Sequence, residues 1–256
     1  PLPPLPEQKK IAEVLSSVDK SISATQAVIE QAKVLKQGML TRLLIKGIGH
    51  KKFKQTEIGE IPEEWEVKTL GEIGKVSTGK TPSTAVIENW KDEIPFITPS
   101  DFNDYVYVDK SERMISLQAA QSLGLLHKES ILYTCIGSTI GKCGIIQNVS
   151  FCNQQINAIQ VDTEIIEPLF AYYCLVYRTP AIRRMSSSTA VPIINKSLFS
   201  NFGIPIPNKE EQRDIIRILL SIDDVVHTNI NQHDRLKRTK SGLMQDLLSG
   251  KKRVKV

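Results

Sequence analysis

Two short stretches of the sequence decide how the chain folds, and they are copies of one another. Residues 1–8 read PLPPLPEQ, and residues 205–212 read PIPNKEEQ. A shift of 204 positions superimposes them and brings further identical pairs into register without a gap, such as Ile11 on Ile215. A gap-free match of this length is not expected by chance. The chain therefore contains an internal repeat, and each copy begins the same structural unit.

Each copy predicts a long helix. After residue 6 in the first copy, apolar residues recur every three or four positions, which places them on one face of a helix. The same pattern follows in the second copy, where Asn208 and Glu211 form a start that resembles a capping box. Gly47 and Gly250 supply the stops. Each helix would contain about 40 residues and measure roughly 60 Å.

A helix of this length with a single apolar stripe needs a partner. We predict that the two helices bury their stripes against each other as a coiled coil; separate packing of each helix on the middle of the chain is the alternative. The chain between them is long enough to form a domain whose ends lie close together, which makes the helices antiparallel. The residues predicted to line the coiled-coil interface are Ile11, Leu15, Val18, Ile22, Ile29, Leu35, Ile215, Leu219, Ile222, Val226, Ile230 and Leu236.

The middle of the chain has a different texture. Short β-like runs occur there, separated by clusters of Gly, Ser, Thr and Pro, and two helical patterns lie among them. The runs are 71–76, 94–97, 130–136, 143–146 and 156–161, and the helical patterns are 116–123 and 167–178. We predict an α+β protein, with a small twisted-sheet domain and two long helices that pair as an antiparallel coiled coil. Its segments are helix 1 (1–49), the sheet domain (50–207) and helix 2 with a basic tail (208–256).

Composition and motifs exclude several classes of protein. No apolar run approaches the roughly 18 residues that span a bilayer. The four cysteines form no CxxC pair and lie far in sequence from the histidines, so we expect buried, reduced thiols in a cytoplasmic protein and no metal site. Neither a GxGxxG nor a GxxxxGK[ST] motif is present, and no nucleophile–base pairing stands out. The sequence therefore predicts no catalytic residues.

The charge is divided along the chain. Residues 57–112 carry five basic and thirteen acidic residues, whereas residues 113–204 carry seven and four. Polar loops in this region, two of which contain glycine, are rich in side chains that read base edges or hold phosphates. They are 77–83, 98–101, 136–142, 152–155 and 186–189. Most polar loops are merely solvated, but five of them interleaved with basic residues suggest a recognition surface for DNA on one face of the domain.

Several motifs together resemble the specificity subunits of type I restriction–modification systems. They are IGEIPEEW (58–65), LGEI (70–73), TPS (81–83), IPFITPSD (94–101), IGK (140–142), NQ (153–154) and IPIP (204–207) before Glu211 and Gln212. The resemblance implies a non-catalytic target recognition domain that reads one half of a bipartite site in double-stranded DNA. It also implies that the helices dock methyltransferase subunits and that the assembly recruits a restriction subunit. S-adenosylmethionine, ATP and Mg would serve those partners, with no cofactor in this chain.

The sequence departs from the family in one respect, since such subunits carry two recognition domains and this chain has one between two helices. We expect a C-terminal portion of a longer chain, a natural truncation or a rearranged half subunit. A homodimer would restore two domains and would predict a symmetric site.

The resemblance and the loops together give candidate DNA contacts. Those expected to hold phosphates are Lys80, Lys142, Arg183, Arg184 and Lys196. Those expected to read or orient bases are Thr81, Ser83, Ser100, Asp101, Ser138, Thr139, Asn153 and Gln154. The alternative is a coiled-coil scaffold for protein interactions with a head that does not bind DNA, which the acidic stretch at 57–112 favours.

Overall fold

The computed structural model describes residues 3–103, 105–108, 110–185 and 192–254. Two long helices, α1 (Leu5–Lys46) and α6 (Lys209–Leu248), precede and follow a region of short strands in the sequence. The chain forms two compact units, one of Pro1–Gly38 with Leu220–Val256 and the other of Met39–Leu219. The segments predicted from sequence divide the chain by helix and sheet, whereas the second unit includes the end of α1 and the start of α6.

In the first unit, α1 and α6 run antiparallel, which confirms the prediction. Lys36 forms an ion pair with Asp223, and Asp19 forms one with Lys240 at 2.6 Å between Oδ1 and Nζ. The residue number on α6 falls as the number on α1 rises, and only antiparallel helices produce that relation.

The seam between these helices follows a heptad pattern. On α1, the buried or half-buried side chains alternate at spacings of four and three: Ile11, Leu15, Val18, Ile22, Thr25, Ile29, Ala32 and Lys36. On α6 the corresponding positions are Ile222, Val226, Asn229, His233, Leu236, Lys240, Leu243 and Leu247, and beside them Asp223 is buried and Ile230 half-buried. Ile215 and Leu219, which we also expected in the interface, are fully buried but belong to the second compact unit. Leu35, which we expected in the interface, is 55% exposed. The alternation reaches Lys36 instead, so the sequence-based register was wrong by one residue at this point.

The ion pair between Lys36 and Asp223 lies within the seam. The Asp223 side chain is 3% exposed and the Lys36 side chain 19%. A charge taken out of water is costly unless it is paired, so a register shift that separated these two residues would take this partner away from a buried carboxylate. The pair therefore favours one register of the coiled coil over its neighbours.

The second unit is built from small sheets and short helices. Its strands are β1 (Phe53–Thr56), β2 (Gly59–Pro62), β3 (Glu66–Thr69), β4 (Gly74–Thr78), β5 (Ile94–Ile97), β6 (Tyr107–Val108), β7 (Met114–Ile115), β8 (Ile131–Thr134), β9 (Cys143–Ile146), β10 (Phe151–Cys152), β11 (Ile156–Val161) and β12 (Gly203–Ile206). Its helices are α2 (Leu70–Ile73), α3 (Leu117–Leu123), α4 (Pro168–Arg184) and α5 (Lys196–Ser200).

The largest sheet has the strand order β4-β11-β8-β9-β6, in which only the last pair is parallel. A second sheet has the order β10-β5-β7, and two-stranded pairs join β1 to β2 and β12 to β3. Apolar side chains from the two larger sheets share a core that includes Ile97, Leu132, Ile146 and Ile156. The predicted runs were short because the strands themselves are short, from two to six residues.

Four of the five predicted β-like runs overlap strands along their apolar residues. The run at 71–76 is different, because its first half is helix α2. Thr69 and Glu72 form a capping box there, since the Glu72 carboxylate accepts hydrogen bonds from the Thr69 N–H and hydroxyl, both at 2.7 Å. Strand β4 begins only at Gly74. A Cβ at that position would lie 2.4 Å from the Gln160 carbonyl oxygen, so glycine permits the strand to pair closely with β11.

A buried carboxylate joins the start and the end of the second unit. Glu211, which is 8% exposed, accepts hydrogen bonds from the Ile48 N–H at 2.8 Å and the Trp65 indole N–H at 2.9 Å. The His50 ring nitrogen Nε2 lies 2.9 Å from the same carboxylate. Gly47, with φ of +62°, ends α1 beside it; a Cβ there would lie 2.5 Å from Glu211 Oε1. The contacts fix the residues that follow α1 against the first turn of α6.

The two copies of the repeat form the same local hydrogen bonds. The Gln8 side-chain amide donates to the Pro3 carbonyl at 2.8 Å, and the Gln212 amide donates to the Pro207 carbonyl at 2.9 Å. Half of the predicted capping box at the second helix is confirmed, because Asn208 Oδ1 accepts from the Glu211 N–H in the first turn of α6 at 2.9 Å. The Glu211 side chain does not complete it, since its carboxylate accepts from Ile48 and Trp65. The repeat therefore encodes a short segment, residues 3–8 and 207–212, that forms the same hydrogen bond in both copies. We call this segment the hinge.

The carboxylate at the matching position of the first copy, Glu7, is also buried. The Arg253 guanidinium donates to it at 2.7 and 2.6 Å, and this hydrogen bonding lowers the pKa of Glu7. The Val254 N–H donates to the same carboxylate at 3.3 Å. Each copy of the hinge thus places a glutamate where a backbone N–H beyond the end of the other helix reaches it.

All four cysteines are buried, which confirms that part of the expectation, and the structure describes them as free thiols. Burial raises the pKa of Cys135 to about 11 and that of Cys152 to about 12, and it also raises the pKa values of Cys143 and Cys174. The thiols therefore stay protonated near neutral pH and are poor nucleophiles. Within the described ranges, no helix combines the length and apolar character needed to cross a membrane.

The coiled-coil seam can be tested with a matched pair of substitutions. Val226→Asp should lower the free energy of unfolding by about 3 kcal/mol or more, because Val226 is 4% exposed and the new carboxylate would be buried without a partner. Val34→Asp introduces the same side chain on a helix at a position that is 75% exposed and should cost under about 1 kcal/mol. Denaturant unfolding followed by circular dichroism measures both. Equal losses would contradict the seam.

The buried carboxylate of Glu211 can be tested in the same way. Glu211→Gln should cost about 2 kcal/mol, because an amide NH₂ would face N–H donors that the carboxylate now satisfies. Glu210→Gln is the control, since its neighbour Glu210 is exposed in the same helical turn. A loss for Glu211→Gln no larger than that of the control would show that the network contributes little to stability.

Candidate nucleic-acid interface

Loops from different strands converge beside the ends of β5, β8 and β11. We call this group the loop cluster; it consists of residues 79–83, 98–101, 135–142, 153–155 and 192–195. Backbone hydrogen bonds join its members. The Lys80 N–H donates to the Cys152 carbonyl at 3.0 Å, and the Asn153 N–H donates to the Ile97 carbonyl at 3.1 Å. Four of the five polar loops identified from the sequence therefore lie side by side. The fifth, 186–189, lies outside the described residues.

Further hydrogen bonds hold the second half of the loop cluster. The Cys135 N–H donates to the Gln155 carbonyl at 2.8 Å, and the Ile194 N–H donates to the Cys135 carbonyl at 2.9 Å. The Gly137 N–H donates to the Pro192 carbonyl at 2.9 Å. A network of backbone hydrogen bonds fixes these loops to one another, which gives them the rigidity that a recognition surface needs.

Gly79 allows the closest approach within the loop cluster. A Cβ there would lie 2.2 Å from the Asn153 carbonyl oxygen and 2.3 Å from that of Cys152. Because both neighbours are backbone atoms, neither could turn away as a side chain would. Glycine is therefore required by space at this position and not by backbone conformation.

Two buried polar side chains lie behind the loops, and sequence reasoning missed both. Asn157, which is fully buried, accepts a hydrogen bond from the Thr78 hydroxyl at 2.7 Å and donates to the Ile194 carbonyl at 3.0 Å. Thr134 is also fully buried, and its hydroxyl accepts from the Lys142 N–H at 2.9 Å. The available signal was a polar residue within a run of apolar strand residues, where an unpaired amide would be costly.

Some of the predicted base-reading residues are engaged within the protein. The Asp101 carboxylate accepts from the Thr98 N–H and hydroxyl, both at 2.7 Å, and from the Glu112 N–H at 2.9 Å. Asn153 is 8% exposed, and its carbonyl oxygen accepts from the Gln155 N–H at 3.1 Å. These two side chains shape their loops, which leaves little of them for an external ligand.

The side chains of three other predicted contact residues also form hydrogen bonds within the protein. The Thr139 hydroxyl donates to the Ile136 carbonyl at 2.9 Å. Lys142 Nζ donates to the Pro99 carbonyl at 2.9 Å, and Arg183 Nε donates to the Ile140 carbonyl at 2.9 Å. Lys142 and Arg183 nevertheless have exposed side chains, so they can fix a loop and still present positive charge to solvent.

The remaining predicted residues have exposed side chains: Lys80, Thr81, Ser83, Ser100, Ser138, Gln154, Arg184 and Lys196. The Thr81 hydroxyl donates to the Gln154 side-chain carbonyl at 2.5 Å. That contact orients Gln154 with its NH₂ group still able to donate. The loop cluster therefore offers the positive charges of Lys80 and Lys142 together with one oriented amide, and Arg184 and Lys196 lie on the helices α4 and α5 outside it. Positive charges and an oriented amide are the chemistry of phosphate and base-edge contacts.

The sequence is similar to those of known proteins of one family. The family model described as "Type I restriction modification DNA specificity domain" matches residues 62–238. The MjaVIII specificity subunit of a type I restriction enzyme from Methanocaldococcus jannaschii is 31% identical over 271 residues, covering 100% of this chain and 62% of the relative. The MjaIX specificity subunit from the same organism is 34% identical over 191 residues, covering 73% of this chain and 44% of the relative.

Solved structures share the fold. The S subunit of a type I restriction–modification system from M. genitalium superimposes with a TM-score of 0.66 at 18% identity, covering 95% of this chain and 61% of that one. The HsdS subunit from Thermoanaerobacter tengcongensis gives a TM-score of 0.61 at 21% identity. The chain spans about three-fifths of the length of the first curated relatives that it matches.

The close packing at Gly79 gives a prediction about the loop cluster. Gly79→Ala should lower the free energy of unfolding by about 3 kcal/mol, because the methyl group would overlap two carbonyl oxygens. Hydrogen exchange at the Lys80 and Asn153 amides should also accelerate. Gly71→Ala is the control, since a Cβ there would meet its nearest neighbour at an ordinary 3.4 Å. If both variants kept full stability and amide protection, the loops would not depend on this contact.

Proposed function

The chain belongs to the family of type I restriction–modification DNA specificity domains, and we propose that it reads one half of a bipartite target in double-stranded DNA through the loop cluster. One observation supports the proposal: loops far apart in sequence converge, and they carry exposed basic side chains and an oriented Gln154. In this assignment the chain selects the sequence and supplies no catalytic residue.

The exposed residues divide by the part of DNA that they would contact. Lys80, Arg184 and Lys196 would hold phosphates, because their flexible cationic side chains suit sequence-independent contacts. Gln154 would read a base edge, since a side-chain amide matches the donor and acceptor of adenine in the major groove. Asp101 and Asn153 would act through the shape of their loops, as their hydrogen bonds lie within the protein.

The paired helices α1 and α6 would dock methyltransferase subunits. Those partners would supply the chemistry of S-adenosylmethionine, and a restriction subunit would bring that of ATP and Mg. The curated relatives are longer than this chain, so a complete bipartite site would need a second recognition domain. A homodimer of this chain is one way to provide it, and it would read a symmetric site. The proposal places the protein in the cytoplasm with the DNA that it reads.

Methylome sequencing tests the proposal most directly. Cells that express this chain with its methyltransferase partner should acquire methylation at one motif, and the motif should be lost when the chain is omitted. A bipartite asymmetric motif would indicate two different recognition domains, and a symmetric motif would indicate a homodimer. Methylation that does not depend on the chain would contradict the proposal and favour the protein-interaction scaffold.

The phosphate contacts can be tested by salt dependence. Lys80→Ala and Arg184→Ala should each weaken binding to all duplexes similarly and reduce the slope of log K against log[salt] by about 1. Lys20→Ala is the control, because Lys20 is an exposed lysine on α1 in the other compact unit. Fluorescence anisotropy with a labelled duplex measures the slopes between about 50 and 200 mM salt. Binding that depends on phosphate contacts weakens strongly over this range. Equal slopes for all four proteins would remove these residues from the interface.

A further inference from the structure

An apolar tip lies on the loop between β4 and β5, and neither the sequence analysis nor the comparisons assign it a role. Ile87 is 77% exposed and Val86 is 43% exposed. Among the large apolar side chains that the structure describes, Ile87 is the most exposed. Single exposed apolar residues are common at protein surfaces. Val86 and Ile87 differ from such residues because specific hydrogen bonds and ring contacts in their loop keep them exposed.

The loop beneath the tip is ordered by hydrogen bonds to one carbonyl oxygen. The Ser83 carbonyl accepts from the Asn89 side-chain amide at 3.1 Å, from the Trp90 indole N–H at 3.2 Å and from the Val86 N–H at 3.4 Å. The backbone N–H of Trp90 donates to the Ile87 carbonyl at 3.0 Å, which closes a 3₁₀ turn at Ile87–Asn89. Four donors thus fix the backbone that carries the tip.

An aromatic cluster anchors the far side of the loop. The Trp90 ring packs edge-on against Phe96, with centroids 5.4 Å apart, and the Arg113 guanidinium lies 4.0 Å from the Trp90 ring centre. The Asn89 carbonyl also accepts from the Ser116 N–H at 2.9 Å. The large apolar ring is packed against the sheet, while the aliphatic side chains of the same loop point to solvent. The exposure of the tip is therefore maintained by specific contacts.

The loop that carries the tip begins inside the loop cluster. Its first residues include Lys80, whose N–H is bonded to the Cys152 carbonyl, and Thr81, which is bonded to Gln154. Only three residues separate Ser83, a predicted base-reading residue, from Ile87. The tip is thus continuous in the chain with the proposed DNA interface.

The chemistry of the tip suits one feature of DNA. The major groove presents a single apolar group on the base edges, the 5-methyl group of thymine, and aliphatic side chains contact it. A tip of two side chains is the right size for a methyl group and is too small for the core of a protein interface. The adjacent Glu88 is exposed and acidic. Its charge disfavours a phosphate neighbour and is compatible with the base edges, where a carboxylate accepts from cytosine.

We infer that Ile87, supported by Val86, is a specificity-determining residue that contacts the 5-methyl group of a thymine in the recognised half-site. The inference rests on the proposed function and adds one base position and the chemistry by which it is read. Any A·T pair in the half-site provides a thymine methyl on one strand or the other.

Removal of the methyl group from the DNA and of the side chain from the protein tests this contact. Each thymine of the recognised motif is replaced in turn by deoxyuridine in a labelled duplex. Binding is measured with the chain in complex with its methyltransferase subunits, as wild type, Ile87→Ala and Val149→Ala. Val149 is the control, since it is 40% exposed on the turn between β9 and β10. Thermal unfolding of the variants should match wild type, because both side chains are exposed.

We expect wild type and Val149→Ala to lose about fourfold in affinity at one deoxyuridine position, the effect of one buried methyl group. Ile87→Ala should lose affinity for the thymine duplex and show no further loss at that position. Similar losses in wild type and Ile87→Ala at every position would overturn the inference, as would a motif without an A·T pair. So would an Ile87→Ala variant that binds DNA normally but no longer assembles with methyltransferase. Failure of wild type to bind any sequence preferentially would instead overturn the proposed function.

Discussion

The second compact unit depends on the buried carboxylate of Glu211, which links the residues after α1 to the first turn of α6. It accepts hydrogen bonds from a backbone N–H just beyond α1 and from the indole of Trp65, and it lies against the ring of His50. It therefore gives the chain that enters the sheet domain and the helix that leaves it a shared polar anchor. The small sheets depend on that closure, since strands of two to six residues do not hold a domain together by themselves.

The glutamate acts together with the next residue. The Gln212 side chain donates to the Pro207 carbonyl and accepts from the Glu167 N–H at 2.8 Å, so it joins the hinge to the start of α4. In the first copy of the repeat, Gln8 and Glu7 form the matching contacts to Pro3 and to the backbone beyond α6. The repeated PxxxEQ-type hinge is therefore a small set of hydrogen bonds, and its sequence similarity reflects that shared geometry.

The elements of the fold that are periodic in sequence could be predicted, and those that depend on distant contacts could not. The helices and their antiparallel pairing follow from the repeat and its apolar spacing. The error at Leu35 arose because a lysine occupies the next seam position, and an apolar pattern cannot anticipate a charge that is stabilised by a partner on another helix. The residues at 71–73 were read as strand although Thr69 and Glu72 have the T-x-x-E spacing of a capping box, because the helix that this cap begins is only four residues long.

The candidate site divides in the same way. Residue type and loop position identified Lys80 and Gln154, whose side chains are exposed, but they did not separate them from Asp101, whose carboxylate is used by its own loop. The roles of Asn157 and Thr134 required knowledge of which loops meet over them. Ile87 escaped notice because an apolar residue in sequence suggests burial, and only the structure shows that the turn beneath it prevents that.

The chain contains two tryptophans, and because their environments differ, the intrinsic fluorescence of the protein reports on two separate places in the fold. Trp65 is 1% exposed with its indole N–H bonded to a carboxylate, whereas Trp90 is half-buried beneath the Arg113 guanidinium. A soluble quencher would reach the second ring and not the first. Emission from one therefore reports on the closure of the hinge, and emission from the other reports on the loop that carries the tip. Events at these two places could be followed separately, without an added label, as the protein unfolds or takes up a ligand.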